Sequence, residues 1–285
     1  MRIEVVTLFP ELVRDASRYG VTGRALERGL WSLSCRNPRD FAQDAYRSVD
    51  DRPYGGGPGM VMLADPMERA IAAARTELAA ARIRSPRVIC LSAQGEGLRH
   101  PRVVELAKEE ALLLLAGRYE GIDERVVERN VDLELAVGDF VVSGGELPAL
   151  LLIDAVVRQL PGVLNDERSN VEESFVDGLL DCPQYTRPET YAGLKVPAVL
   201  LSGDHAAIAR WRRKQSLGRT WLRRPDLLAR RPLSEEDARL LEEFKCGQES
   251  GMMQETPRIG HEGSQPTAQR VGIAAGTHEV AAGKT

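Results

Sequence analysis

Long apolar runs are missing from this 285-residue sequence: the longest, Leu147 to Val157, is broken by Asp154, whereas a bilayer span asks for roughly 18 or more apolar residues. A membrane protein is thereby excluded. Cysteine is scarce, and Cys35, Cys90, Cys182 and Cys246 are scattered singly. They offer neither the CxxC spacing of a zinc site nor enough thiols for a disulfide framework in so long a chain, so a reducing cytoplasm fits best. His100, His205, His261 and His278 have no metal-ligand spacing, and no protein metal cage is expected. The opening MRIEVVTLFP carries Glu4 where a signal peptide has its apolar core, which argues against secretion. Charge of one sign is not in excess either: Lys plus Arg number 38 and Asp plus Glu 42, a net charge of -4, with 43% hydrophobic and 28% charged residues. That is ordinary for a globular protein and excludes collagen-like and wholly disordered chains. A length about 1.9 times a typical domain predicts two unequal domains.

Through residue 162, short β-branched or leucine-rich runs alternate with helical patterns, the signature of an α/β domain with a mostly parallel sheet. Strands are expected at Ile3–Leu8, Arg87–Ser92, Leu112–Ala116 and Phe140–Val142. A helix from Pro66 to about Ala80 has Asp65 as its N-cap and Glu68 three residues on, a capping box. Another starts near Glu146 and runs to Leu160, where Pro161-Gly162 stops it. Residues 163 to 177 hold five acids against one arginine and read as an exposed linker. A second domain is expected to follow it, over 178–246. From Ala206 to Arg231 the charge reverses, with nine Lys or Arg against Asp226 alone, and Trp211 and Trp221 interleaved. From Gly247 to Thr285 the chain is rich in Gly, Ser, Gln, Thr and Ala without periodicity, and a disordered tail is expected.

Three segments could carry chemistry. The run Asp50-Asp51-Arg52-Pro53-Tyr54-Gly55-Gly56-Gly57-Pro58-Gly59 lacks the third glycine of GxGxxG and the Gly-Lys-Ser/Thr of a P-loop, so it is not a nucleotide fingerprint. A tight turn needing positive φ explains its glycines; Arg52 and Tyr54 keep a nucleic-acid contact open. A second set comprises Ser92-Ala93-Gln94-Gly95, Gly117 to Gly121, and Gly138-Asp139-Phe140 leading to Ser143-Gly144-Gly145-Glu146. Each alone is a strand-to-helix turn, but their recurrence after successive strands suggests a crevice at one end of the sheet. Such a crevice offers backbone donors beside small apolar walls, suited to adenine and ribose. The third is the basic segment, a localised positive surface on an acidic chain, which argues for a polyanion partner, although its tryptophans could equally be the core of a small domain. Arg158, Glu172, Glu173 and Asp177 read singly as surface charge and together as a possible arginine and carboxylate acid/base pair.

Seven segments, VTLFPE, YGVTGRA, VDDRPYGGGPGM, AGRYEGIDERV, GDFVVSGGELPA, GLLDCPQYTRPE and WRRKQSLGRTWLRRP, closely resemble the bacterial tRNA (guanine-N1)-methyltransferases of the SPOUT superfamily, in order, from Met1 to about Lys245. The resemblance implies a trefoil-knotted α/β domain binding S-adenosylmethionine, a helical basic C-terminal domain that binds tRNA, and an obligate homodimer with active sites at the subunit interface. It implies a cofactor pocket of Leu91, Ser92, Gln94, Gly117, Tyr119, Glu120, Val137, Gly138, Asp139, Phe140, Val141, Val142, Gly144, Gly145 and Pro148. Arg158 would match the arginine at the target guanine. Asp51, Arg52 and the glycines through Gly57 would lie on the tRNA side, with Arg212, Arg213, Lys214 and Arg219 on its phosphates. The target would be N1 of the guanosine immediately 3′ of the anticodon. Magnesium dependence is a family trait, but the sequence shows no site of several carboxylates for it, and an ion held jointly by Glu120, substrate and water is left open. Two departures stand out. Ser-Ala-Gln-Gly replaces the family's Ser-Pro-Gln-Gly at residues 92–95, removing a rigid φ but no side-chain chemistry. Glu173-Ser174-Phe175 replaces Asp-Ser-Phe, so the expected general base keeps its carboxylate but gains a methylene, and Asp177 stands in reserve. Rival readings are another SPOUT-type RNA methyltransferase, a non-catalytic RNA-binding sensor of S-adenosylmethionine, and a glycine-loop nucleotidyl enzyme.

Overall fold

In the computed structural model, which describes residues 1–164 and 173–252, the chain begins with β1 (Arg2–Val6), α1 (Pro10–Ala16), α2 (Gly20–Glu27) and β2 (Ser32–Arg36). A short antiparallel hairpin of β3 (Asp50–Asp51) and β4 (Val61–Met62) follows. Then come α3 (Ala64–Ala80), β5 (Arg87–Gly97), α4 (His100–Leu106), β6 (Ala111–Leu115), α5 (Glu124–Asn130), β7 (Leu133–Ala136) and α6 (Glu146–Val157).

The sequence of β6 is ALLLL, with every residue buried. A strand with no polar side chain belongs in the middle of a sheet covered on both faces. It is the central strand of the order β2-β1-β6-β5-β7, in which every pairing is parallel. Alternation along the strand divides the core. Leu112 and Leu114 face a cluster with Ile3, Val5, Ile89 and the α6 residues Leu152, Ile153, Val156 and Val157. Leu113 and Leu115 face the opposite cluster, built on the α3 residues Met67, Ala70, Ile71 and Ala74. Beyond the sheet, β8 (Thr190–Tyr191) and β9 (Leu194–Lys195) form a small hairpin, followed by α7 (His205–Arg223), α8 (Pro225–Leu228) and α9 (Glu235–Met252). A separate cluster of Leu179, Leu217, Leu240 and Leu241 joins α7 to α9.

Four sequence expectations need correction. Phe140–Val142 is not a strand: β7 lies upstream at Leu133–Ala136, and the chain then turns, with the Phe140 N–H donating to the Gly138 carbonyl at 2.9 Å. The apolar residues that suggested a strand lie exposed on a loop. Second, β5 runs past Ser92 to Gly97, with a register shift between Leu91 and Glu96 against β7. The Ser-Ala-Gln-Gly segment is therefore a bulge in a strand, and Gly95 packs so tightly on the Glu134 backbone that a Cβ there would overlap it. Third, Asp65 is not the cap of α3, which starts at Ala64 with Leu63 as N-cap and no side-chain cap bond. The hairpin runs straight into this helix, so Asp65 falls inside the first turn and takes Arg69 Nε, one turn on, at 2.9 Å. Fourth, α9 continues to Met252, past the boundary expected at Gly247; residues 253–285 of the expected tail lie outside the described residues, as do linker residues 165–172, Glu172 among them.

Because Leu114 is fully buried at the centre of the sheet, Leu114→Ala should cost about 2–5 kcal/mol. Urea denaturation should show a lowered midpoint with an unchanged m value.

Candidate active site

The carboxyl ends of β5, β6 and β7 open into a cavity of about 340 Å³, where open α/β sheets place their ligands. Every cofactor-site residue expected from the sequence lines it except Asp139, which is exposed. Cys90, Arg118, Glu124 and Glu134 also line the cavity; Arg118 lies within the glycine-bounded loop 117–121 marked by the sequence, whereas nothing in the spacing of Cys90 or Glu134 pointed to them. Burial pushes the Cys90 thiol up to about 12, helped by the charges of Glu134 and Glu124, so it stays protonated. Among the described residues Glu120, Glu124 and Glu134 have no ion-pair partner, whereas Arg118 is paired with the buried Glu146. The electrostatic balance of the cavity is therefore negative, suited to a ligand carrying positive charge.

The glycine-rich loop between β3 and β4 abuts this cavity. Met62 N–H donates to the Gly121 carbonyl and Glu120 N–H to the Met60 carbonyl, each at 2.9 Å. Gly55, Gly56, Gly57 and Gly59 all have positive φ, so the turn explanation holds. A Cβ on Gly59 would also overlap the Glu120 side chain. Asp51, Arg52 and Tyr54 are thus carried on an exposed loop whose base is fastened to the cavity wall, with Asp51 Oδ1 accepting from Arg52 N–H at 2.7 Å. Tyr119 sits at φ 61°, a conformation a bulky residue adopts under strain. Burial raises its phenol, and hydrogen bonding to Asp50 adds to the shift.

Arg158 and Glu173, the expected catalytic pair, meet each other. Arg158 Nη1 donates to Glu173 Oε2 at 2.6 Å and Nη2 to Oε1, a two-pronged ion pair that raises the guanidinium pKa. Neither lines the cavity. Arg158 caps the far end of α6, and twelve helical residues at about 1.5 Å each separate it by about 18 Å from the end that borders the cavity. Asp177 is engaged elsewhere: its carboxylate takes Arg213, and its backbone carbonyl accepts from Arg231 at 2.6 Å.

The basic segment divides by face. Arg210 binds Glu243 through two bonds of 3.1 and 2.6 Å, Arg213 binds Asp237 at 2.8 and 2.7 Å, and Lys214 lies 3.9 Å from Glu243. These cations fasten α7 to α9. Arg212, Arg219 and Arg223, on another face of α7, have no carboxylate partner among the described residues. Tyr185, half exposed, lies beside Trp211 with ring centroids 6.3 Å apart. Of the four expected phosphate contacts, Arg212 and Arg219 are thus available, while Arg213 and Lys214 already hold acids.

The family model described as tRNA (Guanine-1)-methyltransferase TrmD matches residues 1–230. Three proteins named tRNA (guanine-N(1)-)-methyltransferase are similar along most of the chain. The one from Aromatoleum aromaticum is 61% identical, covering 87% of this chain and 94% of the relative. The one from Chromobacterium violaceum is 58% identical, covering 87% and 98%; that from Salmonella newport is 58% identical, covering 86% and 94%.

Arg213→Ala leaves the buried Asp237 short of its main partner and should destabilise the protein by about 1–3 kcal/mol. Arg212→Ala should stay within about 0.5 kcal/mol in the same denaturation experiment. Arg213 also holds the Asp237 carboxyl below its ordinary value of 3.8. That stabilisation is fully present above the ordinary value and is lost as pH falls through the depressed one, so the difference between wild type and Arg213→Ala should shrink in acid.

Proposed function

The chain belongs to the tRNA (guanine-1)-methyltransferase TrmD family, and we propose that it transfers a methyl group from S-adenosylmethionine to N1 of the guanosine immediately 3′ of the anticodon in tRNA. The site of action is the cytoplasm. The single observation that carries this reading beyond membership is the placement of the expected donor residues around one cavity. The cavity fits the donor by its negative balance, its glycine-lined approach and the backbone groups of three loops. Bound there, the donor supplies an electrophilic methyl on a sulfonium. The trefoil knot is part of the proposal, as is a division into a donor domain over 1–162, a linker over 163–177 and a tRNA-binding unit over 178–246. The separate α7–α9 cluster supports that division.

Guanine N1 carries a proton and is a poor nucleophile until it is removed. The Arg158 and Glu173 pair is complementary to that edge of the base: the carboxylate accepts from N1–H, and the guanidinium donates to O6. As N1 bonds to the methyl carbon and the sulfur–carbon bond breaks, Glu173 takes the proton while Arg158 stabilises charge spreading onto O6. The base must leave the loop stack for its N1 edge to be reached. Arg212 and Arg219 hold backbone phosphates, and Asp51, Arg52 and Gly57 lie on the tRNA side. Among the described residues no group of three or more His, Cys, Asp or Glu could hold a metal ion, so no step is assigned to magnesium.

A separation of about 18 Å along α6 is far beyond the roughly 3–3.5 Å at which reacting atoms must meet. The acid/base pair of one protomer therefore serves the cavity of a second copy. An apolar strip supports that pairing: Leu147 is 59% and Leu151 49% exposed, one helical turn apart on α6, and Phe9 and Leu12 near α1 are also exposed. Two copies of α6 packed antiparallel about a twofold axis would bring the Arg158 end of each to the cavity end of the other.

Unmodified tRNA with guanosine 3′ of its anticodon, incubated with the protein, S-adenosylmethionine and magnesium, should yield 1-methylguanosine there by digestion and mass spectrometry. Glu173→Gln should lower turnover at least about a hundredfold with donor binding nearly intact; retained turnover would move the base elsewhere. Mixing an inactive Arg158→Ala protein with an inactive Ser92→Trp protein, whose new side chain fills the cavity from the half-buried Ser92 position, should restore activity, because one site of the mixed dimer then has both parts intact. No recovery after subunit exchange would refute the shared site.

A further inference from the structure

Glu146 is 1% exposed, and a carboxylate so far from water must be met by donors. They come from distant parts of the chain. Thr7 Oγ1, just past β1, donates at 2.8 Å to one oxygen, and Arg118 Nε, just past β6, donates at 2.8 Å to the other. Arg118 also reaches further: its Nη1 donates to the Ser143 carbonyl at 3.2 Å, and its guanidinium lies 4.5 Å from the centroid of the Phe9 ring. The backbones close up around it. Arg118 and Gly144 form an isolated antiparallel bridge, and the Gly145 N–H donates to the Gly117 carbonyl at 2.8 Å. A Cβ on Gly144 would overlap the Arg118 side chain, and one on Gly145 would come within 2.6 Å of Ala116 Cα. The loops after β6 and β7, two walls of the cavity, are thus joined through one guanidinium anchored on one buried carboxylate.

We propose that Arg118 is a positioning residue: with Glu146 it holds the loop of residues 138–145 against the loop of residues 117–121 and so sets the width of the donor cavity. The inference rests on the reading of that cavity as the donor site. The fork of the guanidinium is what the task requires, because Nε and Nη1 satisfy Glu146 and the Ser143 carbonyl together. Lysine keeps the charge but cannot reproduce the planar fork. The pair acts on the donor through the loop, so its loss should weaken donor binding and leave the chemical step alone.

The test is Arg118→Lys in the full-length protein, with steady-state kinetics, donor titration calorimetry and amide hydrogen exchange. The KM for S-adenosylmethionine should rise about tenfold with kcat within about twofold. The amides of Phe140 and Gly145 should exchange faster while those of Leu113 and Leu114 in β6 stay protected. Unchanged KM and unchanged loop exchange would overturn the proposal, as would a fall in kcat alone, which would make Arg118 catalytic. Glu146→Gln, which keeps the shape and removes the charge, should raise KM in the same direction and serves if Arg118→Lys does not fold. If calorimetry finds no donor binding even in wild type, the donor reading fails; the exchange contrast between loop and strand still decides whether the pair holds the loop.

Discussion

Everything in this molecule hangs on the burial of β6. Its five apolar residues have no side exposed to water, so a strand must pair along each edge and helices must cover each face. That demand sets β1 and β5 beside it, α6 against one surface and α3 against the other. Parallel strands in turn deliver their outgoing loops to the same edge of the sheet. The cavity is a consequence of this arrangement, lined by the chain where it leaves β5, β6 and β7.

The second constraint is the length of α6. Its buried residues Ala149, Leu152, Ile153, Val156 and Val157 recur at helical spacing and fix one face to the sheet. Its other face carries Leu147 and Leu151 into solvent. One end borders the cavity, and the other carries Arg158 with Glu173 in its grip. A rigid helix thus holds the cavity and the Arg158–Glu173 pair about 18 Å apart within one protomer, the distance on which the proposed shared site rests.

Charge in the α7–α9 unit is sorted by the same logic of burial. A cation facing another helix must be matched by a carboxylate, and Arg210 and Arg213 are. Those facing solvent need no such partner and remain open to a polyanion. The basic run thus serves two ends: part of it is the adhesive of a small helical unit with a modest apolar core, and part is surface.

What the sequence determined by itself was set by local, periodic chemistry. The apolar run of β6, the helical spacing of α6 and its Pro161-Gly162 stop, and the glycines at strand ends all announce an element within a few residues of themselves. Of the fifteen pocket residues that the motif resemblance implied, all but Asp139 line the cavity. Only the tertiary structure decided the rest. Phe140 to Val142 satisfy a strand's composition, but the chain turns directly after β7, with the Phe140 N–H closing on the Gly138 carbonyl, and leaves them in a loop. Asp65 has a cap's identity, but the turn into α3 falls two residues too early for it, at Leu63. Arg118 and Glu146 are 28 residues apart and Thr7 and Glu146 are 139 apart, so no window of sequence could have joined them. Nor could composition tell Arg212 from Arg213, because a cation's role depends on which carboxylate the fold brings within reach.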